Sequence, residues 1–181
     1  MLRVIAGEAK GARLVTPKSS ARPTLDRVRE AVFSILHMRL PGARFLDLYA
    51  GSGANGIEAL SRGAAWCAFV DSDPAAIHAI GENVFRAKLG HKSRSYQLTL
   101  PGGLGVVAKS ETAFDVVYCD PSFSGVNYEQ LLTQIIDNNL LADGGVIVVE
   151  HAISTELPPA IGGIEKRRTA KYGRVGISFF S

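Results

Sequence analysis

The sequence has few cysteines and histidines, the residues on which disulfide-bonded secreted proteins and many metal sites depend. It contains two cysteines, Cys67 and Cys119, which lie far apart inside apolar runs. Such positions suit buried, reduced thiols better than a disulfide. The four histidines show none of the close spacing that zinc ligands have, so no metal site is expected.

Long apolar runs are also absent. No segment approaches the roughly 20 apolar residues that a membrane-spanning helix needs. The start, MLRVIAGEAK, lacks the apolar region of a secretory signal. We therefore expect a cytoplasmic protein with no membrane partner. A chain of 181 residues, 46% hydrophobic and 20% charged, suits one globular domain with an ample core.

The charge is small in sum but unevenly distributed. The net charge is +3, yet residues 1–30 hold seven Lys and Arg against three acids. Residues 164–174 hold five against one, whereas residues 31–163 hold eight against thirteen. Either basic segment alone would suit a solvated surface, but the two together favour a polyanionic partner, most often nucleic acid. The expected RNA contacts are Arg22, Arg27, Arg167 and Arg168.

A glycine-rich turn is the strongest local feature of the chain. Residues 45–49 form an apolar run that predicts a buried strand, and residues 57–60 fit the start of a helix. A glycine turn between a strand and a helix lets the backbone approach a ligand and points the helix N-terminus at it. This arrangement is typical of the first unit of a nucleotide-binding α/β sheet. The predicted cofactor contacts in the turn are Ala50, Gly51, Ser52 and Gly53.

The identity of the nucleotide is not given by the glycines alone. They match G-x-G-x-x-G, and Asp71 lies twenty residues after Gly51, where an acid binds the ribose of NAD or of S-adenosylmethionine. Asp47, inside the strand, favours S-adenosylmethionine, because a buried carboxylate needs a cationic or hydrogen-bonding partner. S-adenosylmethionine offers an α-ammonium group and a sulfonium. An NAD-dependent oxidoreductase remains an alternative, disfavoured by Asp47 and by the lack of a placed proton-transfer residue.

The remaining elements alternate between strand and helix patterns. The predicted strands that follow the glycine turn are 66–70, 96–100, 114–119, 146–149, 164–170 and 175–180. The predicted helices other than the one after the turn are 25–37, 74–89 and 128–138. This alternation predicts a mostly parallel sheet with helices on both faces, closed by an antiparallel pair. Residues 3–15 predict a small hairpin, and residues 101–105 a turn. We expect one domain over 1–181, with an N-terminal hairpin and basic extension over 1–22 and a Rossmann-like catalytic core over 23–181.

The second chemical motif is Asp120-Pro121-Ser122-Phe123, after the predicted strand 114–119. In open α/β sheets the ligand binds beyond the carboxyl ends of the strands, so Asp120 is also expected beside the cofactor. The Asp120 carboxylate and the Pro121 carbonyl can both accept hydrogen bonds from the exocyclic amine of a base. These bonds gain strength as the nitrogen becomes positive, which lowers the barrier to methylation. Phe123 can stack on that base.

Several stretches together carry a family resemblance. They are VIAGEAKGARLVTP, RPTLDRVREAVFSIL, FLDLYAGSGANGIEALSRGA, FVDSDPAA, DPSF and KYGRVGISFF. Through these stretches nearly the whole chain resembles the RsmD-type methyltransferases, which methylate guanine N2 in bacterial 16S ribosomal RNA. The resemblance implies a class I methyltransferase fold with seven strands, the last inserted antiparallel, and an N-terminal hairpin extension. It also implies S-adenosylmethionine as the methyl donor.

Two positions depart from that family. The usual tetrapeptide is D-P-P-Y, and here Ser122 and Phe123 replace its last two residues. Phe123 keeps an aromatic face, whereas Ser122 removes a rigid proline that would preorganise the loop. The family commonly has an acid after the third strand that contacts the adenine amine, and residues 97–105 contain none. Backbone groups can take that role.

The resulting prediction is an enzyme that transfers a methyl group from S-adenosylmethionine to guanine N2 of 16S ribosomal RNA. The substrate would be free RNA or RNA within a partly assembled small subunit, and the protein a monomer. N6-adenine methylation of DNA is an alternative, disfavoured because the chain has no added DNA-recognition domain. A catalytically weak RNA-binding assembly protein is another alternative, suggested by Ser122.

Overall fold

A computed structural model describes residues 2–17, 26–122 and 125–181 of the chain. The helices are α1 (Asp26–Ile35), α2 (Ala54–Ser61), α3 (Pro74–Arg86), α4 (Leu104–Ser110) and α5 (Tyr128–Asp137). The strands are β1 (Arg44–Leu48), β2 (Trp66–Asp71), β3 (Ser93–Gln97), β4 (Phe114–Cys119), β5 (Leu141–Ala152), β6 (Ala160–Ile161), β7 (Ile164–Tyr172) and β8 (Val175–Phe180).

The strands form one mixed sheet in the order β3-β2-β1-β4-β5-β8-β7-β6. Strands β1 to β5 pair in parallel, and β8 lies antiparallel between β5 and β7. The predicted α/β class, with a mostly parallel sheet and its last strand antiparallel, is therefore confirmed. The sheet differs from the predicted seven strands by β6, which pairs two residues with β7 at the edge. A strand of two residues is too short to leave a periodic pattern in a sequence.

Both faces of the sheet are covered. Alternate residues of each central strand enter different apolar clusters: Phe45 of β1 belongs to one and Leu46 to the other. The N-terminal segment and helices α1, α2 and α3 pack on the side of Phe45, which we call the first face. Helices α4 and α5 pack on the side of Leu46, the second face. Strands buried on both sides appear as unbroken apolar runs in a sequence, which is why β1, β2 and β4 were predictable.

Three elements differ from the predictions. Helix α4 occupies part of the stretch predicted as a turn; its glycines masked a short helix held by the buried Leu104 and Val107. Strand β5 begins at Leu141, five residues before the predicted start, and its pairing with β4 is irregular there. The polar and glycine-rich sequence Asp143-Gly144-Gly145 lacks the apolar pattern by which a strand is predicted. Strand β3 lies three residues earlier than predicted, and the predicted start of the first helix lies outside the described residues.

The N-terminal extension folds back on itself and docks on α2. An antiparallel bridge joins Arg3 and Arg13, and its neighbours exchange hairpin hydrogen bonds. The Glu58 carboxylate accepts hydrogen bonds from the backbone N–H groups of Ile5 and Ala6, at 2.8 and 3.1 Å. The predicted hairpin is therefore present, and its backbone is bonded to the helix that follows the glycine turn.

Two glycines of this hairpin provide a matched test of the docking. Gly7 and Gly11 have φ values of +87° and +86°, so alanine is strained at either position, by about 1–2 kcal/mol. A Cβ at Gly7 would lie 1.8 Å from the Ser61 carbonyl oxygen, whereas one at Gly11 would meet no described residue within 4 Å. We expect Gly7→Ala to lower the free energy of unfolding by about 1–3 kcal/mol more than Gly11→Ala does, as measured in urea. Equal losses would show that docking on α2 contributes little to stability.

The remaining composition-based expectations concern cysteines and membranes. Cys67 and Cys119 are both buried and unbridged, as predicted, and burial raises the pKa of each thiol. Across the described ranges, no helix combines the length and the apolar character that crossing a bilayer requires. Within the same residues, no group of three or more His, Cys, Asp or Glu side chains is arranged to hold a metal ion.

Candidate functional site

The carboxyl ends of β1, β2 and β4 meet at one edge of the sheet. Leu48 of β1 lies in register with Val70 on one side and Cys119 on the other. Just beyond, the Ala50 N–H donates to the Val70 carbonyl at 3.1 Å, and the Asp120 N–H donates to the Leu48 carbonyl at 3.3 Å. The glycine loop and Asp120 are therefore brought together by the backbone itself.

The loop after β1 has an unusual backbone. Tyr49, Gly51 and Gly53 have φ values of 59°, 54° and 74°, in the left-handed region. For a tyrosine this conformation is uncommon, and strained residues of this kind cluster at functional sites. A Cβ at Gly53 would press on the side chains of Ile80 and Phe69, but one at Gly51 would meet no atom of the described residues within 4 Å. Gly53 thus faces the core, and the space beside Gly51 is open to a ligand.

Asp71, at the end of β2, holds this loop. One carboxylate oxygen accepts from the Gly51 N–H at 2.8 Å, and the other accepts from the Asp73 N–H at 2.9 Å. Asp73 caps α3 by accepting from the Ala75 N–H at 2.8 Å. Each oxygen of Asp71 retains a further lone pair that a ligand hydroxyl can use.

Asp47 lies fully buried in β1, on the side of the sheet that faces α2. Its Oδ2 accepts from the Gly56 N–H at 2.8 Å, which ties β1 to α2. Its Oδ1 is buried without a hydrogen-bond partner among the described residues. Burial raises the pKa of this carboxyl well above its ordinary value, the Gly56 N–H opposes that shift, and the charges of Asp120 and Asp71 add to it. A positive charge near this edge would lower the free-energy cost of burying the unpaired oxygen.

The tetrapeptide Asp120-Pro121-Ser122-Phe123 follows β4 directly. Asp120 is half-buried, Pro121 is buried and Ser122 is exposed. Phe123, the predicted stacking residue, lies outside the described residues. The described part of the tetrapeptide therefore places Asp120 at the same edge of the sheet as the glycine loop.

Glu150 is a further acid of this edge that the sequence analysis did not assign. It ends the apolar part of β5 and is 2% exposed. Its carboxylate accepts a hydrogen bond of 2.6 Å from the buried Tyr118 hydroxyl of β4. Burial raises the pKa of Tyr118 well above its ordinary value, and the charges of Glu150, Asp120 and Asp47 reinforce this. An acid at the end of an apolar strand, as at Asp120, was the signal that could have identified it.

A cleft opens beside this acidic edge. It has a volume of about 450 Å³ and lies between the start of α5 and the segment after β5. Its lining residues are 125–129, Thr155, Glu156 and Pro158. The Tyr128 hydroxyl donates to the Glu150 carbonyl at 3.5 Å. Burial raises the pKa of Tyr128 to about 12, and the charge of Asp120 is the second cause.

The predicted RNA-contacting arginines occupy different places. Arg27 is exposed on α1, and Arg167 and Arg168 are exposed on β7; Arg22 lies outside the described residues. Arg167 is paired with Glu165 at 2.5 Å and also donates to the Ser181 carbonyl. Arg168 lies in register with Phe179, a residue of the first face. Of the two arginines on β7, Arg168 therefore lies on the same face of the sheet as α1.

Comparison with known proteins gives a consistent picture. Residues 2–181 match the family model described as conserved hypothetical protein 95. The Bacillus subtilis protein named "Putative rRNA methyltransferase YlbH" is 38% identical over 180 residues, covering 99% of this chain and 98% of the relative. "Ribosomal RNA small subunit methyltransferase D" of Escherichia coli is 34% identical over 172 residues, covering 93% of this chain and 85% of the relative.

A solved structure agrees with these relatives. "Putative methyltransferase yhhF from Escherichia coli" superposes with a TM-score of 0.86 and 31% identity, covering 99% of this chain and 96% of that one. The strand order described above, with its inserted antiparallel β8, is that of the class I methyltransferases. The chain therefore belongs to the family that its model describes as conserved hypothetical protein 95, the family of ribosomal RNA small subunit methyltransferase D.

Proposed function

We propose that this protein transfers a methyl group from S-adenosylmethionine to guanine N2 of 16S ribosomal RNA, acting as a monomer. The names of its relatives support ribosomal RNA as the substrate. The observation that carries the proposal is the backbone hydrogen bond from the Asp120 N–H to the Leu48 carbonyl. Because the glycine loop begins directly after Leu48, this bond supports a position of the proposed catalytic acid beside the loop. Donor and acceptor of the methyl group would thus meet at one edge of the sheet.

The residues of this edge fit S-adenosylmethionine. Asp71 has lone pairs left for the two ribose hydroxyls, and the space beside Gly51 is open as far as the described residues extend. The unpaired oxygen of Asp47 suits an edge where the ligand carries an ammonium group and a sulfonium. When bound, this cofactor supplies an electrophilic methyl group. Ala50, Ser52 and Gly53 complete the proposed contacts through the loop backbone.

Asp120 and Pro121 have the task of activating the target amine. The lone pair of guanine N2 is delocalised into the ring and attacks poorly while the amine is planar. Hydrogen bonds from the amine to the Asp120 carboxylate and the Pro121 carbonyl draw it toward tetrahedral geometry. They strengthen as positive charge develops on nitrogen, so they stabilise the transition state more than the ground state. The Asp120 carboxylate is also a base that can accept the proton the nitrogen then releases.

The cleft beside Tyr128 is the space available for the base. Tyr128 of this cleft bonds to the Glu150 backbone, and Glu129 and Glu156 at its walls offer acceptors to the N–H groups of guanine. Stacking of Phe123 on the base remains part of the proposal. Such stacking contributes roughly 1–3 kcal/mol per base in single-stranded recognition.

Radiolabelled methyl transfer tests this function. The protein is incubated with labelled S-adenosylmethionine and, in parallel, free 16S ribosomal RNA, partly assembled small subunits, and duplex DNA. We expect label in RNA, recovered as N2-methylguanosine after digestion. Label in N6-methyladenine of DNA would support the alternative that the same tetrapeptide allows. RNA that is bound but unlabelled in every sample would support an assembly protein without methyltransferase activity.

The basic ends are proposed to bind the RNA backbone. We expect the double change Arg167→Glu and Arg168→Glu to weaken RNA binding. The salt slope of the binding constant should fall by about 0.7–0.9 for each phosphate that is no longer neutralised. Because Arg167 is paired with Glu165, Arg168→Glu alone should have a larger effect than Arg167→Glu alone. The pair Arg22→Glu and Arg27→Glu should act in the same direction.

Lys109→Glu provides the control, since Lys109 is exposed on α4 over the second face. Filter binding at several salt concentrations measures every variant beside the unmodified protein. Cofactor affinity should stay unchanged throughout. A salt slope that is the same in both double variants as in the unmodified protein would remove these arginines as RNA contacts.

A further inference from the structure

Asn83 bonds to two distant parts of the chain. It lies in α3, and its side chain is completely buried. Its Oδ1 accepts from the Val15 N–H at 2.7 Å. Its Nδ2 donates to the Val15 carbonyl and to the Ser52 carbonyl, both at 2.9 Å. Asparagine is a poor residue for a helix interior, so this side chain is explained by its partners outside the helix.

Both partners belong to segments with a proposed role. Val15 belongs to the N-terminal extension, whose exposed cations include Arg3, Lys10 and Arg13. Ser52 is the central residue of the glycine loop. One amide group therefore bonds at the same time to the backbone of the extension and to the backbone of the loop.

The glycine loop is consequently held from two directions. Asp71 accepts the N–H of Gly51, and Asn83 donates to the carbonyl of Ser52, two peptide groups further along. These two bonds fix the orientation of the peptide groups that lie on either side of the Gly51–Ser52 peptide. A buried carbonyl without a donor is costly, so the loop would shift to satisfy it elsewhere if Asn83 were removed.

We propose that Asn83 is a positioning residue of the cofactor site, which fixes the Ser52 carbonyl and makes the N-terminal extension part of that site. The proposal rests on the function proposed above, from which it takes S-adenosylmethionine as the cofactor. It assigns no contact between Asn83 and the cofactor. Its effect passes through the loop backbone, and its loss should loosen both the loop and the end of the extension.

The test compares Asn83→Ala, Asn83→Asp and a control. Asn83→Asp keeps the side-chain volume and the acceptor for Val15 but removes both N–H donors at neutral pH. Val107→Ala, a buried truncation in α4 on the second face, lowers stability without touching the loop. Circular dichroism first sets a temperature at which every variant is folded. S-adenosylhomocysteine, which binds without reacting, is then titrated calorimetrically at that temperature.

We expect both Asn83 variants to bind S-adenosylhomocysteine at least about fivefold more weakly, and Val107→Ala to bind it as the unmodified protein does. Hydrogen–deuterium exchange without ligand gives a second readout. In both Asn83 variants, amides of residues 50–56 and 14–17 should exchange faster, while those of α5 should not. Unchanged affinity in a folded Asn83→Ala overturns the proposal, as does unchanged exchange at the loop.

The two readouts also separate this inference from the proposed function. If the unmodified protein does not bind S-adenosylhomocysteine, the proposed function fails, and loop exchange alone decides whether Asn83 positions the loop. If the unmodified protein binds it and all variants bind equally, the function stands and the role of Asn83 is overturned. An equal loss in Val107→Ala would also overturn it, since reduced stability alone would then explain the result.

Discussion

Asp120→Ala is expected to slow methyl transfer by about 100- to 1,000-fold while leaving the affinity for S-adenosylmethionine nearly unchanged. The carboxylate is proposed to hydrogen-bond the target amine, and this bond becomes stronger as the nitrogen acquires positive charge. Its removal therefore raises the barrier more than it weakens either ground state. RNA affinity should also persist, because phosphate contacts supply most of it. Single-turnover methylation with saturating RNA and cofactor measures the rate.

Two variants control this experiment. Asp120→Asn keeps one oxygen acceptor without the charge and should be less severe than Asp120→Ala. Asp115→Ala removes an exposed acid from the other end of the same strand, where its carboxylate accepts from the Arg44 N–H at 2.8 Å. It should leave the rate unchanged. A normal rate in Asp120→Ala would eliminate the proposed catalytic site. A rate loss fully explained by weaker cofactor binding would instead assign Asp120 to the cofactor.

Asp71→Ala is expected to weaken the binding of S-adenosylmethionine by about 10- to 150-fold, corresponding to roughly 1.5–3 kcal/mol for a hydrogen bond to a charged group. Two losses combine here. The proposed ribose hydroxyls lose a charged acceptor, and the Gly51 N–H, which donates to Asp71 at 2.8 Å, loses its partner. Calorimetry with the purified variant measures the affinity.

Asp73→Ala is the matched control for Asp71→Ala. It removes the cap of the same α3 N-terminus, two residues away, and should cost about 1 kcal/mol of stability with no loss of affinity. Full affinity in a folded Asp71→Ala would refute the assignment of Asp71. A comparable loss of affinity in both variants would attribute the effect to the end of the helix rather than to the Asp71 carboxylate.

The predictability of the fold varied with the kind of signal. Strands β1, β2 and β4 lie in the middle of the sheet and are buried on both sides, so their apolar runs are long enough to recognise. Helix α4 and the first part of β5 contain or follow glycines, which local reasoning assigns to turns. Burial of Leu104 and Val107 outweighs this preference in α4, and the pairing of Leu141 with Phe114 outweighs it in β5.

The candidate site shows the same division. Asp71 was placed correctly at the end of its strand, but the ribose role assigned to it left out the two backbone N–H groups that it holds. Asp47 was predicted to need a cationic or hydrogen-bonding partner, and the structure supplies a backbone N–H of Gly56 for one of its oxygens. Glu150 received no role, because its partner Tyr118 lies 32 residues away on another strand.

By itself the sequence determined the order of the strands and helices other than α4 and β6, the position of the glycine loop, and the acids that follow strand ends. These are local properties, since each acid or glycine stands directly after the apolar run that precedes it. Only the tertiary structure decided which atoms those side chains bind, and that Asn83 bonds both to the loop and to Val15, 68 residues before it. The reason is that a hydrogen bond depends on distance and direction between two atoms. Packing of the helices on the sheet sets both, and no pattern within one segment records them.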